Sequence, residues 1–528
     1  MSECYDYMDF VDYWITLSGS CSDMRMLFLG RVTTAAMLKS MVPPDTQFAL
    51  PKDNISDDIR CWLEFEIQKL FARGILPRSA QQEAPSLIDH LIKGADGMFL
   101  WARLMIDFLR SPCMTSAQRM DIIRQINVPE GLDGLYTRIF RFIDKSGPTA
   151  RSLATRTIAW TAHGIVPLTS KQLHQALVAD GCLQPSKQEI NIEEFEDTVL
   201  VACAGLVERS GRCFRFSHLS VKEFIQTSPE VRPLGSLLMP SSQESARIAI
   251  LPDPITVHSQ LTQCCLRQLL HHTPNSPLCG QLSAHLTAKQ LSERFPFTDY
   301  AAVYWMAHIG LSPPLETKSL DNKQSISSLS ELASSLSVFL SSPRTASVWL
   351  ESFYTADRAW NVETSRKQDD PPLQIFLGWL RRMELLCRAR ILTIPDNTLD
   401  SARRFFTSTE NIITTWGYRL RQSPPIVWDE MTGFCPSPFF FSPDSVKMSV
   451  ISPEVPVEMS TVGDHLFLIS RTSNDGLRAV LRLWPSRLFR DDQYLNKIQS
   501  APHLTSSICV RTGWRFMRFL NCKKRRTA

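Results

Sequence analysis

Three groups of residues have side chains capable of chemistry. Cys203, Cys213 and His218 lie close together in the chain and are all of metal-ligating type. A structural zinc site takes four ligands in two tight pairs, and none of the 14 cysteines belongs to a CxxC pair. No metal site is therefore expected. Cys264-Cys265 and His271-His272 form the second group. Adjacent residues on a helix point about 100° apart, so such doublets do not converge on one ligand. The third is the tail RTGWRFMRFLNCKKRRTA. It carries Arg511, Arg515, Arg518, Lys523, Lys524, Arg525 and Arg526 among Trp514, Phe516 and Phe519, with no acid. Such a segment suits anionic lipid, nucleic acid or a nuclear-import address, and equally a plain chain end. No GxSxG elbow, HExxH pair, GxGxxG turn after a strand, or GxxxxGK[ST] loop occurs. The expected catalytic set is empty, and no cofactor is expected.

The elements that must position these residues are mostly helical. Apolar residues recur at three- and four-residue steps over 59–72, 85–110, 131–143 and 170–178. The stretch GADGMFLWARLMIDFLR is apolar on nearly all sides, which places its helix, with Phe99 and Trp101, at the centre of a core, and Asp96 is positioned to cap it. Ser217 reads as the N-cap of a helix with His218 in its first turn. Between 310 and 343 the composition turns to Ser, Leu and Pro, the signature of a linker around one amphipathic helix. HLFLISRTSNDGLRAVLRLW reads as a hairpin turning near Asn474-Asp475-Gly476. The fold class expected is mainly α with minor β.

Several motifs, in order along the chain, resemble those of the fungal NACHT-type signalling ATPases, the fungal counterparts of NOD-like receptors. KGADGMFLWARLMIDFLRS resembles the helix after the nucleotide-binding core, and VPEGLDGLYTRIFRFI the helical-domain motif. IVPLTSKQLHQALVAD is similar to the opening of the family's winged helix, and FEDTVLVACAGLVERSGRCFRFSHLSVKEFI to its end. FPFTDYAAVYWMAH resembles a downstream segment, so the likeness covers roughly residues 1 to 310.

The resemblance implies a remnant of the α/β P-loop core over 1–84, a helical domain over 85–165 and a winged helix over 166–230. A helical region over 231–310 would follow, and beyond the likeness composition and patterning give a linker over 311–345, a second helical region over 346–423, a β-rich segment over 424–510 and the tail over 511–528. The resemblance also implies three vestigial nucleotide-site positions. MSEC resembles the end of the acidic strand with Glu3 retained, MRMLFLGR resembles the next strand with Arg31 as the γ-phosphate sensor, and His218 matches the winged-helix histidine that touches the phosphates. On this reading the chain begins partway through the ATPase. Phosphoryl transfer is catalysed by positioning and charge neutralisation, so loss of the phosphate loop implies a non-catalytic signalling or scaffold protein.

The implied partners are other proteins, an intact NACHT-type relative among them. An alternative is an ATPase completed by sequence missing from this chain. A third is a nucleic-acid regulator using the winged helix and the tail. The helix over 170–180 offers a groove only Lys171 as a formal positive charge, so packing against neighbouring helices is the better expectation for it. Net charge is only +4, from 57 basic and 53 acidic residues, so the chain as a whole has no bias toward nucleic acid or membrane. The run 98–109 is too short, and with Arg103 and Asp107 too charged, for a span. A reduced, soluble protein of the cytoplasm is expected, with the tail as a route to the nucleus.

Overall fold

The computed structural model describes residues 7–21, 23–25, 27, 52–112, 114–129, 131–185, 191–227, 254–280, 285–312, 323–360, 372–394, 396–428, 431 and 437–442, together with short strands between 460 and 517. These residues are mainly α, with a few short antiparallel strand pairings. Glu3, Arg31 and most of 26–29 lie outside the described residues, and so does most of the basic tail. The chain divides into two compact units, Met1–Ile139 and Phe140–Ala528.

The first unit contains α1 (Tyr7–Ser20), α2 (Lys52–Ala72), α3 (Ala84–Ala95), α4 (Phe99–Leu109), α5 (Ser116–Arg124) and the start of α6 (Gly131–Asp144). On α2, Ile59, Leu63, Ile67 and Leu70 fall on one stripe and are buried, as the helical period requires. The single helix expected over 85–110 is two. Asp96 (φ 44°) and Gly97 (φ 79°) are both left-handed and break it. Asp96 is the C-cap of α3, its N–H donating to the Ile92 carbonyl, and the N-cap of α4 is Met98. Trp101, Leu104, Met105 and Phe108 on α4 are buried, whereas Phe99 is 42% exposed and does not join the core as expected. The Trp101 indole lies against α3 at Gly94, where an added Cβ would meet its Cη2 at 2.5 Å. Only glycine lets the two helices approach this closely. The Arg119 guanidinium donates to the carbonyls of Leu109 and Ser111, both at 2.7 Å, and so satisfies acceptors left open where α4 ends.

The second unit begins with three helices and a hairpin. They are α7 (Pro148–His163), α8 (Ser170–Ala179), α9 (Ile192–Ala202), β1 (Val207–Ser210) and β2 (Cys213–Phe216), followed by α10 (Leu219–Thr227). A capping box starts α8, with Thr169 Oγ1 accepting from the Gln172 N–H and the Gln172 side chain accepting from the Thr169 N–H. Gly211 (φ 62°) makes the tight turn of the hairpin, in which Ser210 faces Cys213. Thr169 bridges Cys213 and adds a third, one-residue strand to the pair.

Beyond it come α11 (Pro254–His271), α12 (Ala288–Arg294), α13 (Thr298–Leu311), α14 (Lys323–Leu340), α15 (Pro343–Trp360), α16 (Leu373–Arg388) and α17 (Asp396–Gln422). The amphipathic helix expected within the linker segment is present as α14, but it is a core helix. Leu329, Leu332, Ala333, Leu336 and Phe339 are fully buried, and α14 packs on α11 and α17. Two of its serines bond within the helix, Ser335 Oγ to the Glu331 carbonyl at 3.0 Å and Ser327 Oγ to the Glu331 carboxylate at 3.1 Å. The hairpin read from sequence pairs Phe467–Thr472 with Arg478–Leu483 in antiparallel register.

Candidate functional site

His218 sits immediately before α10, and its ring is engaged locally. The Ser220 backbone N–H donates to Nδ1 at 3.2 Å, and Ser220 Oγ lies 2.7 Å from the same nitrogen. A backbone N–H can only donate, so Nδ1 accepts and the proton of the neutral ring is on Nε2. The cap of α10 is therefore His218, not Ser217 as expected. The Ser217 N–H and hydroxyl both donate to the Leu206 carbonyl, at 3.0 and 3.2 Å. Replacing His218 by alanine should cost about 1 kcal/mol, the value of a lost cap, in chemical denaturation. His218→Asn, which restores a capping acceptor, should recover most of it, and equal losses for the two variants would refute the capping role.

The cysteine groups do not form a site. Cys203 is fully buried and desolvation pushes its thiol up to about 12. Burial likewise raises the thiols of Cys264 and Cys265. Among the described residues no three His, Cys, Asp or Glu side chains come together in a way that could hold a metal ion.

The polar chemistry instead gathers along a seam where α7 and α8 meet α11 and α13. At one end Gln172, the residue that caps α8, turns its amide N–H groups to both oxygens of Asp299, at 3.0 and 3.1 Å. Asp299 stands in the first turn of α13 and accepts the Tyr300 N–H at 2.8 Å. Burial raises the Asp299 pKa, and these hydrogen bonds oppose the rise.

In the middle, the Ile165 N–H donates to the Tyr300 hydroxyl at 2.9 Å, which lies 2.8 Å from His308 Nε2. His308 Nδ1 is in turn 3.0 Å from His258 Nδ1. Two neutral proton arrangements satisfy these bonds: either Tyr300 donates to His308 Nε2 and His308 Nδ1 donates to His258 Nδ1, or His258 donates from Nδ1 to His308 Nδ1 and His308 Nε2 donates to the Tyr300 oxygen. The Trp160 ring stands edge-on to Phe297, Tyr300 and His308.

At the far end Asp180, nine-tenths buried, receives the guanidiniums of both Arg156 and Arg267, the latter at 2.7 Å. Desolvation lowers the Arg156 pKa, the Arg267 charge adding to the effect. Gln175 donates to Gln268 at 3.2 Å, and Gln268 to Thr298 Oγ1 at 3.0 Å.

Residues 165–180 and 295–308, read from sequence as separate motifs, are thus brought face to face. His218 takes no part in any bond of the seam given above. Sequence reasoning named Gln172 only as a residue the helix could offer a groove, and did not single out Asp299, Tyr300, His258, His308 or Asp180. The available signal was the spacing of Tyr300, Tyr304 and His308, which puts polar atoms on one side of an otherwise apolar helix.

No protein-family model, no curated protein and no solved structure matches this chain. Among the described residues no helix is long and apolar enough to cross a membrane.

Proposed function

We propose that this chain is a non-catalytic signalling or scaffold protein of the fungal NACHT type, acting through protein–protein interaction. The observation that carries the reading is the order of elements from Pro148 to Phe216. Three helices lead into a β-hairpin whose second strand is bridged by Thr169. That is the order of a winged helix, and it falls on the motifs that resemble one. The absence of a glycine-rich phosphate loop from the 528 residues supports a non-catalytic role, as does the His218 ring nitrogen capping its own helix.

In a three-helix winged fold the helix just before the hairpin is the one placed to enter a DNA groove. Here that helix is α9, whose exposed Glu193, Glu194 and Asp197 would repel phosphates. The helix that sequence reasoning considered for this role, α8, is buried along most of its length and packs on α11. Both features weigh against the nucleic-acid reading and favour protein packing.

Calorimetry decides between scaffold and ATPase. Titration with ATP or GTP in the presence of Mg²⁺ should give no binding at micromolar concentrations. Binding that Arg31→Ala abolishes would overturn the proposal. The scaffold reading further expects co-elution with an intact NACHT-type relative in size-exclusion chromatography.

A further inference from the structure

The His258–His308 contact carries an inference beyond the scaffold reading. The two Nδ1 atoms are 3.0 Å apart, so only one of them can carry a proton between them. We propose that this pair is an acid-released latch. Proton uptake by it frees the bundle of α7, α8, α9 and the β1–β2 hairpin from α13, while the helices from α14 onward stay folded.

The chemistry follows from where the extra proton goes. Once His258 carries protons on both nitrogens it can only donate to His308 Nδ1, and the His308 proton is confined to Nε2. There it faces the Tyr300 oxygen, and the Tyr300 hydroxyl proton loses its acceptor. The Ile165 N–H still points at that oxygen, so the strand leading into α8 feels the rearrangement directly. A second proton would put two cations at hydrogen-bonding distance in the interior.

Among the described residues no carboxylate acts on the charge of the pair. From α7 the titratable neighbour is His163, whose ring lies 5.3 Å from that of His258. Arg156 on α7 and Arg267 on α11 are committed to Asp180 at the end of α8, and His174 on α8 lies edge-on to Phe195. Cys264 and Cys265 on α11 are buried thiols, and on α13 Asp299 faces Gln172 while Tyr300 and Tyr304 are neutral phenols. Lys289 and Glu293 on α12 pair with each other in solvent, and Arg294 there lies over Phe295. Glu331 on α14 is exposed, and Glu351 on α15 accepts from Trp428 and the Leu278 N–H. Arg344 on α15 lies over Phe441, and on α16 Arg382 donates to the Gly310 carbonyl while Glu384 pairs with Arg403.

The sign of the pH effect follows from burial, which lowers the His258 pKa to about 4 and the His308 pKa well below the ordinary range, the neighbouring histidines adding to it. Between those values and about 6.5 the opened form binds more protons than the closed one. The latch is therefore at full strength above about pH 6.5 and weakens as pH falls. For His258 alone the opening equilibrium rises about thirtyfold between pH 7.5 and pH 5.0.

Native-state hydrogen exchange on the full chain, corrected for intrinsic exchange rates, provides the test. The peptide spanning 163–168, which holds the Ile165 N–H bonded to Tyr300, should lose protection by about that factor at pH 5.0, while peptides within 301–308 and 329–356, whose amides are bonded inside their own helices, keep theirs. The double variant His258→Gln, His308→Gln, which keeps donors and acceptors but cannot titrate, should show no such pH dependence at the seam. Loss of protection in both regions together would overturn the latch, as would an unchanged pH dependence in the double variant. If the variant does not fold, the comparison of regions in the natural chain decides alone.

Discussion

Replacing Trp305 by alanine should lower the stability of the second unit by about 3–5 kcal/mol, as loss of a large core side chain does. Trp305 is fully buried, and its ring lies 5.5 to 5.8 Å from those of Phe339, Trp349 and Phe376. Phe405 adjoins the last three. One aromatic from each of α13, α14, α15, α16 and α17 therefore meets at a single point, and its removal leaves a cavity bordered by several helices. The Trp305 indole N–H has no acceptor, unlike those of Trp349 and Trp379, which donate to the Ala302 carbonyl and Ser312 Oγ. The loss on truncation is accordingly one of packing, and Trp305→Phe should retain most of the stability because it also removes an unpaired buried donor. Urea denaturation measures both. A Trp305→Ala midpoint within experimental error of the natural chain would mean that the five helices do not share this core.

The second large effect is expected at Asp180. With the carboxylate gone in Asp180→Ala, the guanidiniums of Arg156 and Arg267 face each other without a counter-charge. Removing one member of a buried pair costs about 3–5 kcal/mol, and both guanidiniums are more than a third exposed, so water screens part of this. A loss of about 2–4 kcal/mol is expected. Combining Asp180→Ala with Arg267→Met, which removes one of the stranded charges and keeps an apolar stem, should recover part of the loss. If the double variant is no more stable than Asp180→Ala, the charges are not the cause.

The helices over 59–72, 131–143 and 170–178 were legible in the sequence because each carries a stripe at helical spacing, and the structure places helices there. The break at Asp96-Gly97 was harder to see, since both sides of it are apolar and helical. Its signal was the Asp-Gly pair itself, read as a cap but serving as a left-handed turn. Serine content concealed the burial of α14, not the helix itself, because average polarity does not register Ser325 and Ser328 buried on the same stripe as Leu332 and Phe339. The seam lay beyond sequence reasoning for a different reason. Gln172 and Asp299 are far apart in the chain, and each has a sufficient local explanation, one in a capping box and the other at a helix start. Only the structure, which sets the start of α8 against the start of α13, shows that they meet.

The burial of α14 has a consequence for how the chain can be divided. A fragment ending near residue 312 would keep both seam motifs but uncover the face of α11 that α14 covers. Extending it through α17 is still not enough. Phe439 and Phe440 pack on Phe405, and the Phe441 N–H donates to Ser347 Oγ at 3.0 Å. The segment 437–442 thus closes the same aromatic core. The smallest autonomously folding piece of the second unit should run from about residue 140, where Phe140 stacks on Phe224, to about residue 442, and shorter boundaries should yield insoluble product.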